Sequence, residues 1–141
     1  MSLDTESPAS GAEDQPAPAA PAARPRIVVG YSSRPEGRAA LARGLVEADL
    51  RGYELIVLHG ADDDVAELTA ELDVAGQPYE LRVSAETLDP AEDLIVTAED
   101  AGAAFIVIGL RRRSPVGKLL LGSNAQRVLL DASCPVLAVK A

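Results

Sequence analysis

Residues 109–124 read GLRRRSPVGKLLLGSN and hold the parts of an anion cradle. Gly109 follows the apolar run Phe105–Ile108, where a glycine lets the chain leave a strand in a conformation that a side chain would forbid. Arg111, Arg112, Arg113 and Lys118 bring local positive charge to a chain whose formal net charge is −9. Gly122 allows a ligand close to the backbone. Ser123 stands where an amphipathic helix begins, so its hydroxyl and the first free amides can hold a phosphate. A plainer assignment stays open for the same residues: a glycine that ends a strand, a serine that caps a helix, and arginines solvated in a loop. A second candidate loop, Gly30-Tyr31-Ser32-Ser33, follows the apolar run Ile27–Val29.

Other chemistries have less behind them. Gly117-Lys118 is followed by leucine, so the loop is not G-x-x-x-x-G-K-[ST], and no dinucleotide glycine fingerprint follows the first apolar run. His59 is the only histidine and ends an apolar run, which suits a packed structural residue. One histidine and one cysteine make no metal constellation, and no metal site is expected. Cys134, before Pro135, reads as a small buried residue. Ser32 and Ser33 lack an evident base and a G-x-S-x-G elbow. Asp62-Asp63-Asp64 reads as acid at a helix N-terminus rather than a cation site. No catalytic residue is assigned.

These loops need elements to hold them. Residues 1–25 are Ala, Pro, Ser, Asp and Glu with almost no large apolar side chain, and burial cannot offset their ordering entropy; a disordered acidic tail is expected. A folded domain is expected over residues 26–141. Short β-branched runs predict buried strands at 27–30, 55–58, 105–108 and 136–139, and alternation predicts a half-exposed edge strand at 79–83. Helices are expected at about 38–50, with Leu41, Leu45 and Ala48 on one face, and after Asp64 and Asp89, each followed three residues later by a glutamate. A last helix carries Ala125, Val128, Leu129 and Ala132 on its core face. The pattern βαβαβαβαβ implies an α/β fold: a single open parallel five-stranded sheet with helices on both faces. Ligands of such sheets bind beyond the carboxyl ends of the strands.

The acidic balance disfavours general nucleic-acid binding, which needs clustered Lys and Arg. No run approaches a membrane span, and no basic start leads into an apolar stretch as in a signal peptide. A single cysteine fits a reducing compartment, so a cytoplasmic location is expected.

The segment from Arg26 to Lys140 resembles a universal stress protein domain, in its strand–helix alternation, its VVGY first strand and its closing LLLGSNAQRVLLDASCPVLAVK. The resemblance implies the adenine nucleotide alpha hydrolase-like fold, with strand order 3-2-1-4-5. It also implies adenine nucleotide binding, ATP with Mg2+, through a glycine/serine phosphate loop. Nucleotide-binding members carry G-x-x-G, nine residues and G-[ST]. Gly109 matches the first glycine, Gly122 and Ser123 the last pair, and Asn124 the next contact position, while Arg112 replaces the second glycine. The loop Gly30, Tyr31 and Ser32 corresponds to the adenosine contacts, with Ser32 where such members carry an aspartate. Gly60 falls where a residue after the second strand abuts the adenine, and Arg111 and Arg112 would supply charge. The family further implies a non-enzymatic stress-response role, with a slow ATPase side activity left open. It implies a homodimer through Val136–Val139 and a protein partner that the sequence does not identify. A nucleotide-independent dimeric interaction module of the same fold is the alternative.

Overall fold

A computed structural model describes residues 24–111 and 121–141. Most of the expected tail, residues 1–23, and the loop residues Arg112, Arg113 and Lys118 therefore lie outside the described residues. The elements run β1 (Arg26–Gly30), α1 (Pro35–Arg51), β2 (Glu54–His59), α2 (Val65–Ala75), β3 (Tyr79–Val83), α3 (Pro90–Ala101), β4 (Phe105–Leu110), α4 (Ser123–Asp131) and β5 (Val136–Lys140). All strand pairs are parallel and the order is β3-β2-β1-β4-β5.

Alternate residues of each central strand enter two cores. Ile27, Val29, Val57 and Val107 meet Leu41 and Ala48 of α1 and Leu68 and Leu72 of α2. Val28, Ile56, Ile106 and Ile108 meet Ala91, Leu94 and Ala98 of α3 and Val128 of α4. Burial on both faces explains the unbroken aliphatic runs. Each fully buried Ile, Leu or Val contributes about 1.5–3 kcal/mol, so the sheet holds its carboxyl edge in place from both sides.

Several boundaries differ from the sequence expectation for identifiable reasons. α1 begins at Pro35 rather than near Arg38, because the fixed φ of proline suits the first helical position. β4 runs on past Ile108: Gly109 and Leu110 still pair with Val139 and Lys140. Leu129 was expected on the core face of α4 but is exposed. Helical spacing aligns Val128 with Ala125 and Ala132, which pack on the core, and rotates Leu129 off that face. Cys134 is half-buried against the same core rather than fully covered.

The expected helix starts at the two aspartates hold. The Asp64 carboxylate accepts from Glu67 N–H at 3.0 Å, and the Asp89 carboxylate from Glu92 N–H at 2.8 Å. Arg127 of α4 ties that helix to the start of α3, reaching Asp89 at 2.7 Å and Glu92 at 3.0 Å. These carboxylates push the Arg127 guanidinium pKa further up, Asp89 most of all. No helix among the described residues is long and apolar enough to cross a membrane.

Candidate functional site at the carboxyl edge of the sheet

Every helix here follows a strand of a parallel sheet, so the helix N-termini gather at the carboxyl edge. Between β1 and β4 the strand order reverses, and a cavity of about 250 Å³ opens there. Gly30, Tyr31 and Ser32 line it from the end of β1, Leu58 from β2, Ser84 from just past β3, and Ile108 and Gly109 from β4. First turns of helices complete the wall: Glu36 and Gly37 of α1, Pro90 and Ala91 of α3, Asn124 and Ala125 of α4. Leu58, Leu94, Ile108 and Val128 are buried side chains on its lining, so the walls are aliphatic. Ser32, Glu36, Ser84 and Asn124 add polar groups.

Two glycines make this packing possible. A Cβ at Gly37 would overlap the backbone nitrogen of Ser32, so the turn after β1 folds directly onto the first turn of α1. A Cβ at Gly109 would overlap the carbonyl oxygen of Glu36. This corrects the expected role of Gly109. Positive φ occurs among the described residues only at Gly52, Gly76 and Gly102. Gly109 instead stays inside β4 and gives α1 room to approach.

Three helix N-termini therefore face one cavity, and the partial positive charge at each favours an anion. They are not equivalent. α1 carries Glu36 in its first turn, and α3 carries Glu92 and Asp93 behind its Asp89 cap. α4 has no acid in its first turn and no capping side chain. Gly122 is its cap residue, at φ −70, so Ser123 is the first helical residue rather than the cap. An anion in the cavity meets the least repulsion at Ser123, Asn124 and Ala125.

The remaining candidates divide. Gly30, Tyr31, Ser32, Gly109 and Asn124 line the cavity together. The Tyr31 ring packs into the α1/α2 core; burial pushes its phenol pKa up, with Arg38 opposing and nearby carboxylates assisting. Ser123 and Gly122 stand at the start of α4 beside the cavity-lining Asn124, outside the lining itself. Arg111, at the end of β4, is exposed, with Nε 4.0 Å from a Glu36 carboxylate oxygen. Gly60 lies away from the lining: its N–H donates to Asp63 at 2.7 Å and its carbonyl oxygen accepts from Asp63 N–H at 3.2 Å. Leu58 and Ser84 occupy that side of the cavity instead.

His59 is buried, with Nδ1 2.9 Å from the Gly60 carbonyl oxygen, as a packed histidine should be. Of the aspartate run, Asp63 holds the Gly60 turn and Asp64 caps α2. No group of three His, Cys, Asp or Glu side chains among the described residues could hold a metal ion. Glu36, Gly37, Ser84 and Ala91 were not singled out in the sequence, and Pro90 was read there only as part of a helix start. Only Pro90, as the first residue of a capped helix, carried a local signal that a helix N-terminus stood there.

Known proteins of the same shape bear on this cavity. The model of the Universal stress protein family matches residues 66–140. A universal stress protein of Mycolicibacterium smegmatis is 43% identical over 126 residues, covering 81% of this chain and 96% of that one. The solved universal stress protein from Archaeoglobus fulgidus superposes with a TM-score of 0.65 at 31% identity, over 83% of this chain and 98% of the other. A structure of the universal stress protein from the same organism in complex with dAMP superposes at 0.59, with 26% identity and the same coverage.

Proposed function

This chain belongs to the universal stress protein family, and on that premise we propose that it binds an adenine nucleotide in the cavity between β1 and β4. The observation that carries the reading is the start of α4, which faces the cavity with neither an acid nor a capping side chain while both neighbouring helix starts carry their own carboxylates. The nucleoside end lies against Leu58, Leu94, Ile108 and Val128. The phosphates lie at the amides of Ser123, Asn124 and Ala125, with Arg111 and Arg112 supplying charge. At about 250 Å³ the cavity is smaller than the ~300–1,000 Å³ of sites that enclose a drug-sized ligand. The phosphates therefore sit at its mouth, where ATP can carry Mg2+ in solvent. The complex of a relative with dAMP supports the adenosine end of this assignment.

In this reading the protein is a cytoplasmic stress-response homodimer paired through β5, and it acts by binding rather than by catalysis. Nucleotide occupancy shifts the population of conformations that a protein partner can sense. The test is calorimetric titration of purified protein with ATP and magnesium, after mass spectrometry has checked for nucleotide already bound. Saturable binding that weakens in Gly122→Val supports the cradle. No bound nucleotide and no heat at millimolar ATP overturns it. That result would favour a nucleotide-independent interaction module, the reading that serine rather than aspartate at position 32 supports.

A further inference from the structure

We propose that Glu36 is the residue that selects a ribose with free 2′ and 3′ hydroxyls, a specificity that rests on the adenine-nucleotide reading above. Ser32 supplies a hydroxyl at the end of β1, and its oxygen already accepts weakly from the Arg34 N–H at 3.4 Å. A diol needs a stronger acceptor. Glu36 stands four residues further on and lines the same cavity as Ser32 and Gly109. Its carbonyl group is fixed against Gly109, which anchors the first turn of α1 at the wall.

The carboxylate suits this use. Its side chain is only 20% exposed. Its position in the first turn of α1 lets the helix N-terminus stabilise the charge. Arg111 Nε lies 4.0 Å away, an electrostatic neighbour beyond hydrogen-bonding distance, and among the described residues both carboxylate oxygens keep acceptor sites. Two oxygens on one planar group match two vicinal hydroxyls, each of which donates one proton. A hydrogen bond to a charged acceptor is worth roughly 1.5–3 kcal/mol, which corresponds to about a 10–100-fold preference. The same carboxylate repels phosphate from the start of α1, so it also orients the nucleotide with its phosphates toward α4.

Calorimetric titration of the full chain with ATP and with 2′,3′-dideoxy-ATP tests this, in wild-type protein and in Glu36→Gln. The glutamine keeps the shape, and thermal unfolding verifies that the variant is folded. Wild type should prefer ATP by at least about tenfold, and Glu36→Gln should cut that ratio to within about threefold. Equal wild-type affinity for both nucleotides, or a preference that survives in Glu36→Gln, overturns this assignment while the adenine-nucleotide reading stands. Absence of binding by either nucleotide in wild type overturns both.

Discussion

Gly109 in β4 lies against the backbone of Glu36 in α1 so closely that a Cβ at position 109 would overlap the Glu36 carbonyl oxygen. The obstructing atom belongs to a helix backbone, not to the end of a flexible side chain, so it cannot swing aside. Gly109→Ala should therefore destabilise the protein by about 1–3 kcal/mol through overpacking. Thermal unfolding should shift down by several degrees. The shift also moves the first turn of α1, so nucleotide affinity should fall together with stability. An unchanged melting temperature would show that α1 has slack at this contact.

Ser123→Asp separates ligand binding from stability because its two effects have opposite signs. A carboxylate in the first turn of α4 interacts favourably with the helix N-terminus, by about 0.3–1 kcal/mol. Repulsion of a phosphate some 4 Å away costs about 1–4 kcal/mol between the bulk-water and near-surface limits. ATP affinity should drop about tenfold or more while the melting temperature holds or rises. Calorimetry and thermal unfolding on one preparation decide it. Unchanged affinity would place the phosphates elsewhere.

The architecture was legible because each element announced itself with more than one signal. Asp89, Pro90 and Glu92 mark a helix start by cap, ring and acid at once, and the aliphatic strands admit only a sheet buried on both faces. The cavity was half legible. Gly30, Ser32 and Gly109 could be found because they flank strand ends in the sequence, and Asn124 through the resemblance to the family's glycine/serine loop. Glu36, Gly37 and Ser84 could not, since what brings them to the cavity is the packing of α1 on β4 and the pairing of β3 with β2. Gly60 shows the converse. It stands just past a strand, the right local place, but it bonds with Asp63 and is not among the residues that line the cavity.

Acid should weaken the far end of α1 through Glu47. Its carboxylate is 6% exposed and receives Arg51 at 3.0 Å and Arg43 at 2.7 Å. The hydrogen bond from Arg51 is the main cause of a pKa held below the ordinary 4.5; burial opposes it and Arg43 assists. A carboxylate with a depressed folded-state pKa adds stability above its unfolded value and loses it as pH falls through the folded value. Wild-type stability should therefore decline from about pH 4.5 downward, more steeply than in Glu47→Gln. Urea unfolding at pH 7 and below pH 4 measures both slopes, and parallel slopes would remove Glu47 from the account.

The edge of β5 can be tested without damaging its inner pairing. Ile106 N–H donates to the Pro135 carbonyl at 3.0 Å, and Ala141 N–H donates to the Leu110 carbonyl at 3.1 Å. Parallel alternation then turns the N–H groups of Leu137 and Val139 toward β4 and that of Ala138 outward. Ala138→Pro removes an outward donor and sets a ring on the open edge, where proline is tolerated. Homodimerisation through this strand predicts twice the chain mass in light scattering for wild type and the single-chain mass for Ala138→Pro, with the fold retained by circular dichroism. A dimer that persists in the folded variant would move the interface off β5. Its next candidate would be the exposed Leu129 and Leu130 of α4.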